Sequence, residues 1–105
     1  MTSTQDTHVA DFMNIFLITS HEQRLALLRT LTRGQCAILR QVVYNILFNG
    51  SLDLSTEDRA YLKKHHTTLK RLASRRVCFD VKKLAAQRHH LLIKRLAQIT
   101  VDYLK

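Results

Sequence analysis

Apolar residues recur along the chain at intervals of three and four positions, the spacing that aligns them on one face of an α-helix. No stretch alternates apolar and polar residues over the length of a strand, and the chain contains no proline and two glycines. This pattern predicts an all-α fold, a compact bundle of four to five short helices without a sheet. The predicted helices span about residues 6–18, 21–31, 33–48, 56–75 and 80–104.

Each predicted helix has an apolar stripe that should face a common core. The stripe of the helix at 33–48 is the broadest, so we expect that helix to be the most buried. Leu84 and Leu91 lie outside the stripe of the last helix, which predicts a second neighbour or a second chain against it. The residues predicted to face the core are Val9, Phe12, Met13, Phe16, Leu17, Leu25, Leu28, Leu31, Cys36, Leu39, Val42, Val43, Ile46, Leu47, Tyr61, Leu62, His65, Leu69, Leu72, Ala73, Val81, Ala85, Leu92, Leu96, Ile99 and Tyr103.

Local chemistry predicts where several helices begin and where one ends. At 20–23, 32–35 and 55–58, a serine or threonine precedes by three residues a side chain that can bond back to it, which is the capping-box pattern. Asp80 is predicted as the N-cap of the last helix. Asn49-Gly50 predicts a helix end, because glycine adopts the left-handed conformation without steric cost.

The net charge of +9 is distributed unevenly along the chain. Residues 1–58 carry four arginines against six acids, whereas residues 59–95 carry twelve lysines and arginines against Asp80 alone. We therefore interpret residues 1–105 as a single helical domain with a near-neutral half at 1–58 and a strongly basic half at 59–95. Charge that served solubility alone would be spread along the chain, so the clustering indicates a polyanionic partner or an anionic surface.

The basic half predicts a surface that contacts phosphates. Cations occupy most of the helix at 56–75 outside its apolar stripe, and no acid follows Asp58 there to pair with them. Lysine and arginine bind a phosphate backbone without reading bases, and binding releases counterions. A solvated face, an acidic protein partner and a membrane surface are the alternatives. The predicted nucleic-acid-binding residues are Arg59, Lys63, Lys64, Lys70, Arg71, Arg75, Lys82, Lys83, Arg88, Lys94 and Arg95.

Other kinds of chemistry find little support in the sequence. Cys36, Cys78 and the pairs His65-His66 and His89-His90 match no zinc-site spacing, because adjacent helical residues point about 100° apart. Without a Gly-rich phosphate loop, a nucleophile elbow or an HExxH motif, the sequence predicts no catalytic residue, no metal and no cofactor. The apolar run at 15–18 is far shorter than the ~20 residues of a membrane span. We expect an intracellular protein with reduced thiols.

Two stretches of the chain resemble a known family. They are LRQVVYNILFNGSLDLSTEDRAYLKKHH at 39–66 and LKRLASRRV at 69–77. They are similar to small basic proteins encoded by Maverick/Polinton-type mobile elements and the related adintovirus-like DNA viruses of animals, over about residues 38–88. The sequence departs from the family pattern after Val77 and after Arg88, so processing near Gln87-Arg88 does not follow from the resemblance. The resemblance implies a viral or element-encoded origin.

Charge and resemblance together predict a non-enzymatic, sequence-independent nucleic-acid-binding protein that condenses or packages a genome, in the host nucleus or in the virion. The packaging role is inferred from basicity, and DNA is favoured over RNA as the partner. The alternative is a helical interaction module that binds an acidic capsid or host protein, or that self-associates. A third possibility is a membrane-active minor virion component without a membrane span.

Overall fold

The computed structural model of the protein describes residues 4–48 and 54–104, with side chains at 8–48 and 54–103. These residues form helices and connecting turns, and no strand occurs among them, which confirms the all-α prediction. The prediction of four to five helices is too low, because each of the last two predicted helices is divided in two. The helices are α1 Thr4–Ile18, α2 His21–Arg29, α3 Arg33–Phe48, α4 Thr56–Lys64, α5 His66–Ala73, α6 Phe79–Arg88 and α7 His90–Leu104.

The two unexpected breaks fall at the first histidine of each His-His pair. His65 has φ −106° and ψ 20°, and its amide donates to the Leu62 carbonyl three residues back at 3.1 Å. His89 has φ −117° and ψ 44°. Neither break contains a glycine or a proline, so no helix-breaking residue in the sequence predicts either of them.

The core is formed by one cluster of buried apolar side chains. Helix α7 packs against α1, α2, α3 and α6, whereas α3 packs against α5, α6 and α7. The prediction that the helix at 33–48 is the most buried is wrong, because α7 has six buried residues among those described and α3 has five. The radius of gyration of 12.8 Å is close to the ~13 Å expected for a compact chain of about 100 residues.

Most residues predicted to face the core do so, with exceptions in the second and the last predicted helices. Leu25 is not part of the core cluster. Val81 and Tyr103 are exposed, at 44% and 52%, while Ile93 and Ala97 are fully buried without having been predicted. Val81 lies near the start of α6 and Tyr103 near the end of α7, whereas the predicted positions between them are buried. Leu84 and Leu91 were predicted to lie outside the stripe, and they are exposed.

The helix starts follow the predicted caps in two cases and depart from them in two. Ser20 with Gln23, and Thr32 with Gln35, form complete capping boxes with bonds of 2.9 to 3.2 Å. At α4 the Ser55 hydroxyl accepts from the Asp58 amide at 3.1 Å, but the Asp58 carboxylate binds Arg95 instead of closing the box.

The prediction for Asp80 is wrong. Helix α6 has Cys78 at its N-cap, without a side-chain capping bond, and Asp80 lies in the first turn. The predicted helix end at Asn49-Gly50 lies outside the described residues. Within the described ranges, no helix is long and apolar enough to cross a membrane.

Candidate anion-binding site

The cations of the basic half have three different environments. Two of the predicted phosphate-binding residues, Lys83 and Arg95, are half-buried, and Lys82 is buried. Arg76, which was not in the predicted set, is also exposed. The predicted residues that the fold leaves exposed are Arg59, Lys63, Lys64, Lys70, Arg71, Arg75, Arg88 and Lys94.

Arg95 is engaged within the protein. Its guanidinium donates to the Asp58 carboxylate at 3.0 Å and lies over the Tyr61 ring, 4.5 Å from the ring centroid. These contacts tie α7 to α4 and orient the arginine side chain. The sequence shows no acid after Asp58 in the predicted helix at 56–75, and Asp58 itself, at the start of α4, pairs with a cation on α7.

The expectation that Lys82 lies on an exposed cationic face does not match the fold. Its side chain is 6% exposed, because α6 packs against α2, α3 and α5 and turns Lys82 inward. Burial lowers the pKa of the Lys82 ammonium; the neighbouring Cys36 acts in the opposite direction, and the Arg40 charge lowers the pKa further.

Lys82 lies on the wall of a pocket of about 260 Å³ between α3, the α5–α6 turn and the start of α6. Four of the eight lining side chains are cationic, and no acid is among them. Three elements that are distant in the sequence therefore bring like charges to one place. The lining residues are Arg33, Cys36, Ala37, Arg40, Arg75, Val77, Phe79 and Lys82.

Helical spacing and an aromatic ring position the arginines from α3. Arg33, Cys36 and Arg40 follow one another at steps of three and four, so they share one face of the helix. The Arg33 guanidinium lies 5.0 Å from the centroid of the Phe79 ring, and the Lys83 ammonium lies 5.6 Å from it. Phe79 thus holds two cations at the edge of the pocket through cation–π contacts.

Cys36 does not supply a counter-charge for Lys82 near neutral pH. Burial raises the pKa of the Cys36 thiol, and the Lys82 ammonium opposes this increase without reversing it. The thiol is therefore protonated at pH 7. The described residues provide no ion pair or hydrogen bond to the Lys82 ammonium. Its nitrogen is not one of the fully buried side-chain atoms without a partner, so the ammonium is accessible from the pocket.

A second buried cation, Arg24, has the opposite surroundings. It is 4% exposed, and its guanidinium donates to the carbonyls of Phe16 and Thr19, both at 3.5 Å, and to Nδ1 of His90 at 3.4 Å. The carbonyls belong to the end of α1, where helical acceptors lack partners, so Arg24 closes that helix end. From the sequence, Arg24 was predicted only to contribute charge to the near-neutral half, without a structural role.

Histidines surround the contact between Arg24 and α7. The rings of His21 and His90 lie 4.3 Å apart, edge to face, and those of His65 and His89 lie 6.2 Å apart. The pKa of His90 is lowered by burial, by His21 and by Arg24. In the part of the chain that the structure describes, no three His, Cys, Asp or Glu side chains are grouped so as to hold a metal ion.

Sequence reasoning found half of the pocket's cations. Arg75 and Lys82 were predicted as phosphate contacts, though on an open face, whereas Arg33 and Arg40 were assigned to the near-neutral half. The signal that could have identified them is the shared helical face of Arg33, Cys36 and Arg40. Their meeting with Arg75 and Lys82 depends on tertiary packing.

Comparison of the chain with protein-family models, with curated proteins and with solved structures finds no match. The resemblance over about residues 38–88 therefore stays a prediction that rests on the residues quoted for it.

Proposed function

We propose that the protein binds nucleic acid through its phosphates, without catalysis and without reading sequence, and that it serves a virus or virus-like element in condensing or packaging a genome. DNA in the host nucleus or the virion is the proposed partner and location. The observation that carries this proposal is the set of exposed cations on α4, α5 and their neighbours.

The exposed cations form few interactions with other residues of the protein. Lys63, Lys70 and Arg71 are exposed, and no carboxylate of the described residues forms an ion pair with them. Exposed helices commonly alternate the signs of their charges to gain pairing at i,i+4. Unpaired surface cations are free to neutralise phosphates, and the cations condensed on the phosphate backbone are then released to solution, which favours binding.

The salt dependence of DNA binding tests this proposal. The logarithm of the affinity for random-sequence duplex should fall linearly with the logarithm of salt concentration, with a slope of about −0.9 per phosphate neutralised. A footprint that engages half of the predicted residues gives a slope on the order of −5. Changing Lys63, Lys70 and Arg71 together to Glu should abolish binding and leave helicity unchanged. A wild-type protein that does not bind duplex DNA at physiological salt would overturn the proposal.

Two single reversals form a matched control for this experiment. Lys70 lies in the last turn of α5 and Arg29 in the last turn of α2, and both are exposed. Lys70→Glu and Arg29→Glu therefore change the charge by the same amount and disturb a helix end to the same degree. Lys70→Glu should weaken binding more. Equal weakening would show that net charge, and not the basic half, determines the affinity.

A second candidate function is an interaction module that self-associates or binds an acidic protein, and exposed apolar side chains favour it. Ile18 is 74% exposed, Phe48 62% and Leu91 61%. Single exposed apolar residues are ordinary on protein surfaces, so these three support the module less than the cations support nucleic-acid binding. Light scattering that shows a discrete oligomer, with no response to added DNA, would favour the module.

A further inference from the structure

We propose that the pocket formed by Arg33, Arg40, Arg75 and Lys82 is a binding site for a terminal phosphate group, as in a phosphomonoester or pyrophosphate. This site goes beyond the proposed function, because Arg33, Arg40 and Lys82 do not belong to the exposed cations of α4 and α5 that carry that proposal.

Lys82 has a largely buried side chain, and its ammonium has no anionic partner among the described residues. The pocket wall around it adds Arg40 and contributes no carboxylate from the described residues. Partial desolvation and the like charge of Arg40 both disfavour the charged ammonium, and both lower its pKa. A bound anion would offset this unfavourable electrostatic environment.

The four cations that line the pocket differ in exposure. Arg33 and Arg75 are exposed, Arg40 is half-buried and Lys82 is buried along most of its side chain. The exposed arginines can attract an anion, and the guanidinium of Arg40 offers the planar donor fork that binds phosphate oxygens in pairs. The Lys82 ammonium adds a point charge to the site.

The charge of the pocket favours a terminal phosphate over a backbone phosphate. Four cations and no acid line the pocket, whose volume of about 260 Å³ lies below the ~300 to 1,000 Å³ of sites for drug-sized ligands. A phosphomonoester carries close to two charges at neutral pH, whereas a backbone phosphodiester carries one. The phosphomonoester therefore gains more from the four cations.

Thermal melting with pyrophosphate tests the site. At constant ionic strength, pyrophosphate at ten times its Kd should raise the melting temperature by on the order of 5 °C. Lys82→Met should fold at least as well as wild type, because it removes a charge that Arg40 repels and keeps a side chain of similar length, and it should lose this increase. Arg40→Gln should weaken pyrophosphate binding at least tenfold by calorimetry, whereas Lys70→Met, an exposed control, should leave it unchanged. A melting increase in Lys82→Met as large as in wild type would overturn the proposal.

A second set of probes distinguishes the sources of the phosphate. A single-stranded oligonucleotide with a 5′-phosphate should bind more tightly than the same oligonucleotide with a 5′-hydroxyl if chain ends are the ligand. If a nucleoside monophosphate binds and the two oligonucleotides bind equally, the ligand is a small molecule and not a chain end. Failure of all these probes together with pyrophosphate would overturn the site.

The test separates this site from the proposed function. The variant with Lys63, Lys70 and Arg71 changed to Glu should lose duplex binding and keep its response to pyrophosphate. A protein that responds to pyrophosphate but does not bind duplex DNA would retain the pocket and lose the proposed function.

Discussion

Arg24 and Lys82 are both buried, at 4% and 6% exposure, yet their surroundings differ in every respect that matters for a charge. Arg24 lies where α2 meets α1 and α7, and it donates to two backbone carbonyls and an imidazole. Lys82 lies where α6 meets α3, among other cations and a protonated thiol. A satisfied buried charge holds elements together, whereas an unsatisfied one is a candidate for binding a ligand.

Different interactions stabilise the regions around Arg24 and Lys82. The α1–α2–α7 region combines apolar packing with the polar contacts of Arg24. The α3–α5–α6 region has buried apolar side chains, among them Leu69 and Leu72, and a pocket whose charges repel. Packing of apolar side chains must therefore outweigh the electrostatic cost there.

The largest expected effect tests that dependence on packing. Leu69 is fully buried on α5, so Leu69→Ala should lower the free energy of unfolding by about 2–5 kcal/mol, measured by urea denaturation. Lys70→Ala, at the adjacent exposed position, should change it by at most about 0.5 kcal/mol. Similar costs for the two variants would mean that the buried and exposed faces of α5 are wrongly assigned.

An exchange of each buried cation for methionine tests the comparison directly. Arg24→Met removes the donors for the end of α1 and should lower the free energy of unfolding by about 1–3 kcal/mol, since buried carbonyls are left unpaired. Lys82→Met should leave that free energy unchanged or raise it, because it replaces an uncompensated charge with an apolar side chain of similar length. If Lys82→Met were the more destabilising variant, the contrast between the two regions would be wrong.

The smallest expected effect is a pH dependence of the Arg24 region. Burial, His21 and Arg24 all lower the pKa of His90, so below its ordinary pKa of 6.5 the unfolded chain binds a proton that the folded chain does not. The free energy of unfolding should therefore fall as the pH decreases from 6.5 towards the lower folded pKa. His90→Gln should flatten this slope relative to His66→Gln, the same exchange at an exposed histidine. Equal slopes for the two variants would contradict the assignment to His90.

Local chemistry accounts for what the sequence predicted well. The capping boxes at Ser20 and Thr32 form as expected, because their partners lie three residues away and need no tertiary contact. The core faces of α1 to α5 follow from helical periodicity for the same reason. These features determine the all-α fold and the clustering of exposed cations in the second half of the chain.

The rest depended on contacts between residues far apart in the sequence. The breaks at His65 and His89 contain no glycine or proline that would have predicted them. Val81 and Tyr103 were expected to be buried, and they are exposed near the outer ends of α6 and α7. The Asp58 carboxylate accepts a hydrogen bond from Arg95, thirty-seven residues away, instead of closing the predicted capping box.

The helical fold and the region where charge is concentrated can be read from the sequence, because caps, periodicity and composition act within a few residues. Which charges are buried, and which of them lie together, depends on how the helices pack. The packing of α6 against α3 buries Lys82 and places it beside Arg33, Arg40 and Arg75. Tertiary packing also places the Phe16 carbonyl of α1 and the His90 ring of α7 beside the Arg24 guanidinium, where they accept hydrogen bonds. The free-energy cost of burying a charge depends on the groups around it, and tertiary packing determines which groups those are.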